Sequence, residues 1–176
     1  MRKGFTRLLF LISCCWIAAC AEKGKAPLDI PAAYDSANFE THAAAELNLI
    51  SRFRSLVAEA QKGRSGAPVS LDSLNYWYIT GTPSVQSLVS DYYAPKAAVW
   101  FAELVKASGN TYTPGPPVGA GGVFGGYLFD ENGLELEQMI DKGLYGALLY
   151  KRFDDLANSV ITPAIVDQML AIFGAN

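Results

Sequence analysis

The stretch NFETHAAAELNLISRFRSLVAEAQKG, Asn38–Gly63, decides the fold class. Phe39, Ala43, Leu47, Ile50, Phe53, Val57 and Ala60 recur at helical spacing, which places apolar side chains on one face of an α-helix. Asn38 suits the N-cap and Gly63 the position just past the C-terminus. The same signals recur downstream. Ser70 caps a short helix through Tyr78. Thr82 and Pro83 pair an N-cap with a proline at the first helical position and predict a helix to about Tyr92. Pro95 opens a helix that carries Ala98, Phe101, Ala102 and Val105 and stops at Gly109. Thr162 and Pro163 repeat the cap signature and predict a last helix to Phe173, ended by Gly174.

Between these lies a long helix, expected from Leu134 to Leu156 after the Asn132–Gly133 turn signal. Gly143 and Gly146 within it each cost roughly 1 kcal/mol of helix propensity relative to alanine. With Ala147 they form a small-residue strip that another backbone can approach. Leu144, Leu148 and Leu149 make the helix apolar around most of its circumference, so it reads as central. Thr111–Gly126 holds Pro114, Pro116, Pro117 and six glycines, and is expected to be an irregular loop. Val123–Phe129 allows one short extended piece at most. The expected fold is all-α: a helical bundle with short connecting helices and one Gly/Pro-rich loop.

The N-terminus reads differently. Arg2, Lys3 and Arg7 form a basic region, and Leu8–Ala19 an apolar one too short for the roughly 20 residues of a transmembrane helix. Ile17-Ala18-Ala19-Cys20 then reads as a bacterial lipoprotein signal. Residues 1–19 are the expected signal peptide and Cys20 the lipidated residue. Residues 20–37 are a flexible tether and 38–176 the helical domain. More than one acyl chain supplies stable membrane anchoring. Ala21 after the cysteine goes with outer-membrane sorting, facing the periplasm or the surface.

Of the 14 basic and 17 acidic residues, the signal takes three basic ones and no acidic one, leaving a mature chain of net charge −6 with histidine neutral. That balance, without a basic cluster, argues against nucleic acid as a partner. Cys14 and Cys15 leave with the signal and Cys20 is acylated. Cleavage therefore excludes disulfides, thiolate metal sites and cysteine nucleophiles.

The lipobox, the Phe39–Gly63 helix and above all GLELEQMIDKGLYGA (Gly133–Ala147) resemble an uncharacterised family of bacterial lipoproteins related to the imelysins. The last stretch is similar to that family's Gly-x-Glu…Gln…Lys-Gly-x-x-Gly-Ala helix. The resemblance implies a helical envelope protein; imelysin-like proteins are built from two related bundles, and some are linked to iron uptake. This chain lacks the imelysin His-x-x-Glu spacing. Family members are longer, so the chain is expected to be a fragment or a half-length relative with one apolar face left uncovered.

His42, the only histidine, stands one helical turn before Glu46, so both side chains can meet one ion. Glu46 falls inside the apolar stripe, where a carboxylate needs a partner. One reading is half of a site for iron or another divalent metal, completed by Glu135, Glu137 or Asp141. The other is a carboxylate paired with a lysine or arginine, or one reaching water at a bundle end. Tyr76, Trp77, Tyr78, Tyr92, Tyr93, Trp100 and Phe101 form an aromatic-dense region that suits core and interhelical packing, stacking on a sugar or binding an apolar ligand. Gly-x-Ser-x-Gly and Ser-x-x-Lys do not occur, and Gly119–Gly125 lacks the strand and spacing of a nucleotide loop. Asp130 and Asn132 begin a calcium loop that Gly133 and Leu134 break.

The expected function is a lipid-anchored, non-catalytic envelope protein that binds or scaffolds in metal or nutrient uptake, with the membrane and other envelope proteins as partners. The alternatives are a metal-dependent hydrolase using His42 and Glu46, and a glycan-binding lipoprotein using the aromatic region.

Overall fold

The computed structural model describes residues 34–114 and 119–174. The expected signal peptide, Cys20 and most of the expected tether lie outside the described residues. Residues from Ser36 onward form one compact unit. It is mostly helical and includes one small two-stranded sheet.

The first expected helix comes in two pieces, α1 (Phe39–His42) and α2 (Ala44–Gln61), with the chain turning at Ala43. The Asn38 side chain makes no capping bond. The buried face of α2 consists of Glu46, Leu49, Ile50, Phe53, Leu56, Val57, Glu59 and Ala60, so Leu49 and Leu56 join the expected stripe while Leu47 lies at its edge. Gly63 does not end the helix. It is buried within a 3₁₀ turn, Lys62–Ser65, and the left-handed residue is Gly66 (φ 81°). A Cβ on Gly63 would stand 2.5 Å from Leu128 Cδ2. Glycine is needed there for close packing.

Helix α3 (Leu71–Ile79) starts where expected, the Ser70 hydroxyl accepting from Ser73 N–H at 3.3 Å. Helix α4 is shorter than expected, Val85–Leu88, and its cap is Ser84 in place of Thr82. The extended backbone of Ser84 aims its hydroxyl at Ser87 N–H, 3.1 Å away. Helix α5 (Ala94–Ala107) buries Ala97, Trp100, Phe101, Leu104 and Ala107. Ala98 and Ala102 face out. The expected phase is therefore rotated by one residue, because the bulk of Trp100 and Leu104 outweighs alanines that fit either face.

The glycine-rich segment is not wholly irregular. β1 (Gly122–Phe124) and β2 (Tyr127–Phe129) pair antiparallel, Val123 opposite Leu128. Gly125 (φ 59°) and Gly126 (φ 82°) supply the two left-handed residues that a tight two-residue hairpin requires. The hairpin buries Leu128 fully in the main core. The expected helical class therefore holds broadly, with this small sheet added to it: two adjacent glycines between short apolar runs are a hairpin signal.

The long helix begins at α6 (Leu136–Gln138), passes through a π-helical segment (Met139–Leu144) and continues as α7 (Tyr145–Ala157). Leu136, Ile140, Leu144 and Leu148 are all buried, each four residues after the last. In a regular α-helix a four-residue step overshoots a full turn by about 40°. Three steps would swing Leu148 off the face. The π turns take in more residues each and rotate that drift back, which keeps all four side chains in the core. The small-residue strip meets side chains, not backbone: the Trp100 and Tyr93 rings stand 3.6–3.7 Å from the Cβ position of Gly143, and a Cβ on Gly146 would meet no other part of the fold within 4 Å. The last helix, α8 (Pro163–Phe173), is capped by Thr162, whose hydroxyl accepts from Ile165 N–H at 3.2 Å. Ile172 on α8, Leu156 on α7 and Ile50 on α2 form a second, smaller apolar cluster.

Candidate functional site

The structure separates His42 from Glu46. Glu46 is fully buried and is paired with Arg152 of α7. Arg152 donates from Nε at 3.0 Å and also from Nη2, both to Glu46 Oε1. His42 turns to α8: its Nδ1 lies 2.6 Å from Asp167 Oδ2, and Gln168 Nε2 donates to the His42 carbonyl at 3.1 Å. The arginine-paired reading of Glu46 is therefore the one the geometry shows. Among the described residues no group of three or more His, Cys, Asp or Glu side chains stands close enough to hold a metal ion.

The carboxylates expected to complete a metal site are engaged elsewhere. Glu137, also fully buried, receives Arg64 Nη2, Gln138 Nε2 at 3.0 Å and Gln61 Nε2 at 3.1 Å. Glu135 stands 3.5 Å from the same Arg64 nitrogen. Asp141 pairs with its neighbour Lys142 at 2.7 Å, and this hydrogen bond raises the lysine's pKa above its ordinary value. Asp130 accepts from the backbone N–H groups of Asn132 and Leu134, both at 2.8 Å, so its carboxylate shapes the turn before α6.

The aromatic region divides into three. Tyr78 and Phe101 meet edge to face in the core, centroids 5.2 Å apart. Tyr76 is exposed and Trp77 packs partly buried against the core; the Arg52 guanidinium stands 5.6 and 5.4 Å from their ring centroids. Tyr92, Tyr93 and Trp100 line a cleft of about 630 Å³ with Lys96, Val99 and Met139. The Lys96 ammonium rests 4.3 Å from the Tyr92 centroid, a cation–π distance.

A second cleft, of about 380 Å³, lies between α2 and the π segment. Phe53 and Val57 from α2 and Tyr145 from α7 give it an apolar side, with Phe53 and Tyr145 stacked at 5.1 Å. Arg54, Gln61, Asp141 and Lys142 supply polar groups. The π segment thus lends Met139 to the aromatic cleft and Asp141 and Lys142 to the polar one. Single π turns inside α-helices occur often at functional sites.

No family model, curated protein or solved structure matches the chain. The site is therefore read from its own chemistry. Both clefts combine aromatic surface with a few charged groups, the composition of a small-molecule site. Neither brings the lone histidine beside a nucleophile. Sequence reasoning missed Asp167, Arg152 and Arg64 as partners. Arg152 carried a signal: a buried acid on α2 demands a cation, and Arg152 lies on the helix read as central. His42–Asp167 carried none, since the two residues are 125 positions apart.

Proposed function

We propose that this chain is a lipid-anchored, non-catalytic helical protein of the bacterial cell envelope that binds a small ligand for metal or nutrient uptake. The observation that carries the reading is Ile17-Ala18-Ala19-Cys20 after a basic and then apolar leader. The resemblance of Gly133–Ala147 to imelysin-related lipoproteins supports the uptake role. Two charged, aromatic clefts beside a π segment support binding over scaffolding alone. Among the described residues no helix is long and apolar enough to cross a membrane, so in this reading attachment rests on the acyl chains.

The test is Cys20→Ser in the full chain. Wild-type protein is expected in the membrane fraction with an acylated N-terminal cysteine by mass spectrometry. The variant is expected as soluble protein or uncleaved precursor. An acyl-free mature N-terminus in the wild type would refute the anchor.

A second reading, glycan binding, is favoured by the Tyr92–Trp100 cleft, whose ring faces suit stacking on sugar. Retention on immobilised polysaccharide that Tyr92→Ala abolishes would favour it.

A further inference from the structure

The aromatic cleft at the start of α5 sets exposed apolar side chains beside a cation that no acid answers. Tyr92 is 67 % exposed, Val99 58 % and Met139 37 %. Trp100 belongs to the main core and the half-buried Tyr93 packs against that core, which fixes the inner side of the cleft. Lys96 is the one charged side chain among the described residues that line it. The other described lysines, Lys62, Lys106, Lys142 and Lys151, each meet a carboxylate. Lys96 does not: its ammonium rests on the Tyr92 ring, 4.3 Å from the centroid, and pairs with no acid among the described residues. A ring face attracts a cation but offers no acceptor oxygen, so the charge stays uncompensated and the N–H donors stay open. Apolar surface and an unanswered cation in one cleft of about 630 Å³ match a ligand that carries both complements. We propose that this cleft binds a small carboxylate with an aromatic body, its acid group at Lys96.

In this arrangement the body of the ligand lies against Val99, Met139 and the aromatic side chains of the cleft. Met139 is the first residue of the π segment, and its flexible thioether adapts to a flat ring. The carboxylate accepts from the Lys96 ammonium, a charge-assisted hydrogen bond partly shielded from water by the rings around it. The same ammonium repels a cationic ligand of equal shape, which gives the cleft its sign preference. Val99 and Met139 offer nothing to the hydroxyls of a neutral sugar. The inference rests on the proposed small-ligand role and names the ligand class for one of its clefts. Against the glycan reading it makes charge and apolar body, and not hydroxyl groups, the features that decide binding.

The probe is 2-naphthoate, titrated calorimetrically into the full chain in lipid nanodiscs, with empty nanodiscs as the blank. The charge-reversed control is 2-naphthylmethylamine, and glucuronate supplies the acid group on a sugar. Naphthoate is expected to bind, and the amine and glucuronate not. Lys96→Gln is expected to weaken naphthoate binding at least about tenfold, as loss of a charge-assisted pair does, while Lys96→Arg retains it. Val99→Glu, at an exposed position, should also abolish binding by placing a like charge in the cleft. Lys106→Gln, a surface change elsewhere, should leave it unchanged. Circular dichroism confirms that each variant is folded. Equal binding by the folded Lys96→Gln variant, equal binding of the amine, or loss of binding in Lys142→Gln but not Lys96→Gln overturns the assignment. Glucuronate bound in place of naphthoate overturns it in favour of the glycan reading. Absence of naphthoate binding in a chain whose N-terminal cysteine is acylated overturns it too, and leaves the anchored reading standing.

Discussion

The two ends of α2 each bury a glutamate completely, and they neutralise it differently. At the start of the helix Glu46 depends on one residue, Arg152, which places two donors on a single carboxylate oxygen. The other oxygen, Oε2, is buried without a partner. Just beyond the end of the helix Arg64 meets Glu137, and the amides of Gln61 and Gln138 share the load, so both oxygens are occupied. The difference teaches that burial alone does not rank acids by vulnerability. What counts is how many independent donors would have to be lost before a charge is stranded in low dielectric.

The largest expected effect tests the single-donor end. Arg152→Met should destabilise the fold by about 3–5 kcal/mol, because it leaves Glu46 charged, buried and unpaired. Urea unfolding followed by circular dichroism measures it. Adding Glu46→Leu to that variant should restore most of the loss, since a hydrophobic pair can replace a buried ion pair. A cost below about 1 kcal/mol for Arg152→Met would show that Glu46 finds another partner, ending the contrast.

Arg64→Met is the matched change at the other end. Two amide donors remain on Glu137, so the expected cost is about 1–3 kcal/mol by the same measurement. The comparison breaks if Arg64→Met proves the more damaging of the two.

The smallest effect concerns another buried polar atom without a partner. The Tyr78 hydroxyl has no hydrogen-bond partner, and burial raises its pKa above the ordinary 10.0. Because the folded state holds its proton more tightly, the contribution is fully present below pH 10.0 and falls as pH rises from there through the folded pKa. Tyr78→Phe should change stability by less than about 1 kcal/mol at neutral pH and should lessen the alkaline loss. If the variant loses stability above pH 10.0 as steeply as the wild type, Tyr78 does not titrate with folding.

Much of the helical scaffold was legible before any coordinates. The Ser70 and Thr162 caps stand where the sequence places them, because a hydroxyl bonding its own helix two or three residues on is a local event. The same holds for the need of Glu46 for a partner, which follows from its place in the apolar stripe. The phase of α5 was not legible, since alanine fits core and surface alike and only Trp100 and Leu104 break the tie. Nor was the π segment, whose four-residue leucine spacing is also compatible with an ordinary helix over a short run. The Gly125–Gly126 hairpin was legible only in part: Val123–Phe129 allows a short extended piece, while the three prolines and six glycines of Thr111–Gly126 read as loop.

The sequence by itself determined the helical class of the body, most helix starts, and the acid that must be paired. Each depends on neighbours within a turn or two of the chain. Only the tertiary structure decided that Arg152 answers Glu46 across 106 positions, that His42 turns to Asp167, and that Leu128 requires a glycine at position 63. It alone brought Arg54 and Lys142 to the lining of one cleft. These depend on how helices pack, and packing is set by side-chain volumes summed over the whole core, which no local pattern records.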